Sequence, residues 1–194
     1  MRKSSVKRDT LETKIEVELN LDGTGQVEVD TGIGFFDHML TLLGKHGLLD
    51  LKVKAVGDLL VDTHHTVEDV GIVLGMALKQ ALGDKTGINR YGSCHLPMDE
   101  ALVVTALDIS SRPYLVCDLK FTGEYIGDFP TEMIEEFWRA VAVQAGFTLH
   151  FHQMSGRNNH HIAEAAFKSF AHALRKAAEK DPRITGVLSS KGKL

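Results

Sequence analysis

Apolar and polar positions alternate along the first stretch of the chain. Leu11, Thr13, Ile15, Val17 and Leu19 fall on one side, which predicts a half-buried strand over residues 10–20. Asp22-Gly23-Thr24-Gly25 is a hairpin signal, and residues 26–30 read as the return strand. Thr31-Gly32-Ile33-Gly34 then links into a helix over residues 35–45, where Phe36, Met39, Leu40 and Leu43 share a face and Gly47 is placed to cap it. Residues 48–56 alternate again as a strand, and Gly57-Asp58 turns the chain. A long helix follows, with Val67, Val70, Leu74, Leu78 and Ala81 as its apolar stripe, ending near residues 83–87.

The pattern then restarts. Residues 93–109 read as a strand pair broken at Pro97, and residues 114–119 as a further strand. A helix spans residues 132–145 and stops at Gly146; a strand covers residues 147–154. Ser155-Gly156 leads into a last helix that runs to about Glu179, where Asp181-Pro182 stops it. Its stripe of Ala163, Ala166, Phe170, Leu174 and Ala177 repeats that of the first long helix. Residues 184–194 show no period. A repeated unit of about 90 residues is too long for a solenoid. We therefore expect an α+β fold of duplicated β/α halves, each a mixed sheet with two helices on one face. No Pro-, Gly- or Ser-rich linker separates the halves, so residues 1–194 are expected to form a single domain, with halves of about 1–92 and 93–194.

Composition narrows the possibilities. Of the 194 residues, 43% are hydrophobic, enough for a sizeable core, and the net charge of −4 argues against a nucleic-acid-binding face. No apolar run approaches the ~18 residues of a membrane span, and the polar start, Met1-Arg2-Lys3-Ser4-Ser5, is unlike a signal peptide. Cys94 and Cys117 stand apart from each other and outside any CxxC pair. The expectation is a cytoplasmic protein with reduced cysteines. The anomaly is a count of ten histidines.

Four of these open the two long helices, as His64-His65-Thr66-Val67-Glu68 and His160-His161-Ile162-Ala163-Glu164. Imidazoles and carboxylates are the donors a divalent transition metal takes. At about 100° per residue adjacent histidines diverge, while a glutamate one turn on lies between them and reaches either. Each pair should therefore straddle two sites, with His64 and His65 serving different ions. The order is not that of a His-Glu-x-x-His metalloprotease. Aligning the shorter helices sets His38 against Glu136, both able to ligate a metal. Arg90, Arg112, Lys168 and Lys191 are anion-binding candidates, the last in the donor-rich stretch Ser189-Ser190-Lys191-Gly192.

These residues resemble a known family. Gly32-Ile33-Gly34-Phe35-Phe36-Asp37-His38-Met39-Leu40, Asp62-Thr63-His64-His65-Thr66-Val67-Glu68-Asp69, Met98-Asp99-Glu100-Ala101-Leu102, Arg112-Pro113, His160 to Lys168 and Ser190-Lys191-Gly192 are similar to the motifs of imidazoleglycerol-phosphate dehydratases. The resemblance implies a hydro-lyase of histidine biosynthesis, acting on a phosphorylated small molecule through an imidazolate intermediate. It further implies a homo-oligomeric shell of about 24 subunits and two manganese ions in each site built between subunits. By position, one ion falls to His38, His65, Glu68 and His160, and the other to His64, Glu136, His161 and Glu164. Arg90, Arg112, Ser190 and Lys191 would hold the phosphate, with Lys168 and His46 near the substrate. Glu12 would enter the active site and move the proton, with Glu164 as the second choice. Three positions depart from the family pattern: Glu136 where many relatives have histidine, Ser111 where glycine is usual, and Leu188 where proline is common. Two other readings compete with the lyase: a non-catalytic shell stapled by metal, and a metal-dependent hydrolase of a phosphorylated small molecule.

Overall fold

The computed structural model describes residues 2–194. The first half runs β1 (Lys3–Asp9), β2 (Thr13–Asn20), β3 (Val27–Asp30), α1 (Gly34–Gly47), β4 (Asp50–Gly57) and α2 (His64–Leu82). The second repeats this order as β5 (Tyr91–Met98), β6 (Ala101–Asp108), β7 (Tyr114–Asp118), α3 (Glu132–Ala145), β10 (Thr148–Ser155) and α4 (Asn159–Ala178). A small hairpin of β8 (Tyr125–Ile126) and β9 (Phe129–Pro130) is inserted before α3. The two main sheets have the same mixed topology, β1-β2-β4-β3 and β5-β6-β10-β7, with only the last pair of each parallel.

The helices form a layer between the sheets. Helix α2 packs on β1, β2 and β4, and α4 on β5 and β6. The halves also exchange contacts, since α1 lies along α4 and α3 along α2. Small residues let the α2–α3 backbones close up: a Cβ added at Gly71 or Gly75 would stand 2.8 Å from the carbonyl oxygens of Phe137 and Val141. Aromatic rings lock the layer. Phe36 of α1 meets Phe137 of α3 edge-on at 5.2 Å, and Phe137 stacks on Phe167 of α4 at 5.4 Å. Trp138 is fully buried among Phe151, Phe167 and Phe170.

Five details differ from the sequence expectations. Strand β1, with its alternation of polar residues, was not anticipated; its side chains are half-buried at best because it is a sheet edge. The first predicted strand begins only at Thr13, because Thr10 Oγ1 accepts the backbone N–H groups of Glu12 and Thr13 and makes a turn there. That leaves Leu11 fully exposed. The turn at residues 22–25 does not close a hairpin, since β3 pairs with β4 rather than with β2. Nor does Pro97 break β5: it sits within this edge strand, where a missing N–H is tolerated, and the reversal comes at Asp99-Glu100. At the end of α1, Leu48 rather than Gly47 takes the left-handed conformation, with φ 53°. Gly47 is instead a contact position, where a Cβ would press on Leu49 and Ala171.

Candidate active site

The paired histidines stand on the first turns of α2 and α4. Asp62 accepts the backbone N–H of His64 (2.7 Å), and Asn158 accepts those of His160 (2.9 Å) and His161 (3.4 Å). These bonds satisfy orphan donors of the first turn and fix where the rings leave the helix. The rings then diverge as helix geometry requires: centroids lie 6.3 Å apart for His64 and His65 and 6.4 Å for His160 and His161, nearly perpendicular in both pairs.

His160, the first of its pair, turns back along α4. Its Nε2 lies 3.2 Å from Glu164 Oε2, and His38 Nε2 of α1 lies 3.5 Å from the same oxygen. One donor atom from each of His38, His160 and Glu164 falls within 4.8 Å of the others, a spacing that suits a shared cation. Glu164 is buried, and Lys168 one turn on is paired with its other oxygen. Burial pushes the Glu164 carboxyl up, but the Lys168 ammonium and the two imidazoles outweigh it and hold the group below its ordinary range.

The corresponding residues on α2 and α3 are more open. His64 Nε2 and Glu68 Oε2 stand 4.0 Å apart, and Glu136 lies 3.5 Å from Arg139 of its own helix. The second histidines face the turns instead. His65 Nδ1 is 2.9 Å from Asp58 Oδ2 and 3.9 Å from Glu12 Oε2; His161 Nδ1 is 2.7 Å from Glu100 Oε2. The carboxylates raise both imidazoles above their ordinary value. His46 lies in the α1–α4 groove beside His172, ring centroids 5.6 Å apart, and is pushed down by burial and then by the charge of Lys168.

Apart from Lys168, the anion-binding candidates lie elsewhere. Arg90 is buried and doubly bonded to Asp108, at 2.7 and 3.0 Å, while its Nη1 donates to the carbonyl of Leu188 (2.9 Å). Arg112 reaches the same Asp108 at 3.4 Å and is otherwise exposed. Arg90 and Ser190 line one cleft, and exposed Lys191 adjoins it. This cleft is at the far end of α4, because the Arg90 N–H bonds to the carbonyl of Ala177. A rise of 1.5 Å per residue puts it about 25 Å from His160.

A family model described as imidazoleglycerol-phosphate dehydratase matches residues 31–174. The chain belongs to the imidazoleglycerol-phosphate dehydratase family. Relatives carrying that name are 60% identical over 193 residues in Acetivibrio thermocellus, covering 100% of this chain and 99% of the relative. They are 57% identical in Clostridium acetobutylicum, covering 100% and 98%. The Staphylococcus aureus dehydratase structure superposes with a TM-score of 0.84 at 38% identity, over 92% of this chain and 99% of that one. A Pyrococcus furiosus structure, in complex with (S)-C348, gives 0.85 at 38% identity over 97% and 100%. The family's mixed sheets and paired halves are those described above, and its members are hydro-lyases by name.

Within one chain of this dehydratase family, the structure brings together only part of the expected ligand set. It joins Glu164 to His38 and His160, whereas the position-by-position partition put Glu164 with the other ion; i,i+4 spacing on α4 is the reason. Glu136, His161 and His65 do not join that cluster. Ser111 adopts a positive φ of 59°, and its hydroxyl accepts from the Lys85 ammonium. Sequence reasoning gave no role to Asp58, read as a turn residue, or to Glu100, quoted only within a motif. Superposing the turns of the two repeats would have drawn attention to Glu100, because Glu12 and Glu100 each directly precede the second strand of their sheet.

Proposed function

We propose that the chain dehydrates imidazole glycerol phosphate to imidazole acetol phosphate in histidine biosynthesis, with two bound divalent ions, manganese foremost. Family membership supports the reaction. The observation that carries the metal dependence is the convergence of His38, His160 and Glu164. Two imidazole nitrogens facing one buried carboxylate oxygen make a donor set that suits such an ion. His64, His65, Glu68, Glu136 and His161 are the remaining ligands in this reading. Held by these residues, such ions would supply Lewis acidity toward the substrate's imidazole and its hydroxyls.

The chain's own residues do the rest. Arg90 and Arg112, with Ser190 and Lys191 of the tail, hold the phosphate; the rigid Arg90–Asp108 pair keeps one guanidinium in place. Glu12 moves the proton, because it is exposed at a turn tip and its carboxylate has no hydrogen bond among the described residues. Glu164 is tied to Lys168 and is better suited to hold a ligand than to shuttle a proton.

The ends of α4 are too far apart to act on one small molecule, so each site is completed by another copy of the chain in a closed homo-oligomer of about 24 copies. Leu11, Leu60 and Val61, exposed on the turn of Glu12 and on the loop leading to His65, support burial of that rim by a neighbour.

Incubation with imidazole glycerol phosphate and manganese should yield the enolising keto product. Chelation should abolish turnover and added manganese restore it; full activity in metal-free protein would overturn the reading. Glu12→Gln should give an assembled protein without turnover, which a purely structural metal shell would not show.

A further inference from the structure

The two repeats carry a feature beyond the ligands themselves. His65 and His161 occupy the same place on their helices, and each has a carboxylate against Nδ1. For His161 it is Glu100, from the β5–β6 turn, at 2.7 Å. For His65 it is Asp58, from the loop after β4, at 2.9 Å. The two carboxylates thus come from different elements, although the histidines are equivalent. The residue equivalent to Glu100 is Glu12, which lies 3.9 Å from His65 Nδ1, beyond hydrogen-bonding range.

Both carboxylates are themselves held. Glu100 Oε1 accepts the backbone N–H groups of Asn158 (2.8 Å) and Arg157 (3.2 Å), which ties the turn to the start of α4. Asp58 has one oxygen on His65 and the other buried without a partner among the described residues, so its side-chain bonding there is spent on this ring. An ionised carboxylate only accepts, so each imidazole donates from Nδ1 and carries its free lone pair on Nε2.

We propose that Asp58 and Glu100 are positioning residues that fix His65 and His161 in the Nδ1–H tautomer, with Nε2 free to ligate. A carboxylate behind a ligating histidine sets the tautomer, orients the ring and raises its basicity. Asp58 also takes over in the first half the task that Glu100 performs in the second, which leaves Glu12 unbound. One structural role has moved to a new residue, and the old position is released for proton transfer. This rests on the reading of His65 and His161 as metal ligands.

The test uses the full-length assembled protein with ¹⁵N-labelled histidine, free of metal, at about pH 9 where imidazoles are neutral. In the wild type, two histidines should show the Nδ1–H signature. Asp58→Ala and Glu100→Ala should each return one ring to the Nε2–H form favoured in water. Manganese titration by calorimetry should show affinity falling about 10–100-fold in each variant, the usual cost of losing such a partner. Asp58→Asn and Glu100→Gln keep an acceptor without the charge and should fall between. Asp58→Asn also guards against loss of folding, since Asp58 has no other side-chain partner among the described residues. If the wild type binds no manganese, the ligand reading fails. If it binds and the variants keep both tautomer and affinity, the positioning roles of Asp58 and Glu100 fail.

Discussion

The His38–His160–Glu164 cluster and the corresponding positions Glu136, His64 and Glu68 stand on equivalent helix pairs, α1 with α4 and α3 with α2, yet they differ in closure. In the first, the Glu164 side chain is 9% exposed and its oxygens are engaged on both sides. In the second, His64 and Glu68 are 46% and 44% exposed and 4.0 Å apart. One substitution accounts for much of this. Lys168 follows Glu164 by one helical turn, whereas Glu68 is followed at that spacing by Ile72. A carboxylate with a cation at i+4 can be drawn into the helix layer, and one without stays in water. Duplication supplied two equivalent sets of ligand positions, and the residues behind them decide which is preorganised and which awaits a partner.

This contrast can be broken most severely at the ligands. His160→Ala removes one of two imidazoles from the closed cluster, and turnover should fall by more than the ~100-fold that losing an outer partner costs, measured at saturating manganese. Lys168→Met is next. It strands a buried carboxylate, and chemical denaturation should show a loss of about 2–3 kcal/mol, less than the 3–5 of a fully buried pair because His38 and His160 still flank Glu164. Acid should expose the same asymmetry. Because the Glu164 carboxyl is lowered in the folded state, its contribution is complete above about pH 4.5 and fades as pH falls through the folded value. The metal-free Lys168→Met protein should therefore lose less stability between pH 5 and 3 than the wild type. The smallest change is Glu136→His, which makes the open cluster resemble the closed one in donor type and removes one negative charge. Manganese affinity should shift about tenfold or less, with zinc gaining relative to manganese as nitrogen replaces oxygen.

The repeat, all four helices and the paired histidines were legible because helix stripes with period 3.6 and a doubled motif are local signals. The topology was not. Nothing local distinguishes a hairpin from a β3–α1–β4 crossover, and Asp22-Gly23 looks the same before either. Strand β1 was hidden because an edge strand with a lysine, serine and arginine pattern buries too little to show apolar alternation. The divergence of adjacent histidines followed from helix geometry. The ring that meets Glu164 did not, because His38 arrives from a helix far away in sequence. Asp58 and Glu100 escaped notice for the same reason, as carboxylates in turns whose partners are set by tertiary structure.

The length of α4 has a genetic consequence. Under the composite-site reading, a lesion at His160 and one at Arg90 on the same polypeptide spoil different catalytic pockets, one at each end of the helix. Two inactive alleles, one of each kind, should therefore complement when co-expressed, because mixed assemblies contain pockets in which both contributed ends are intact. Two alleles altered at the same end should not.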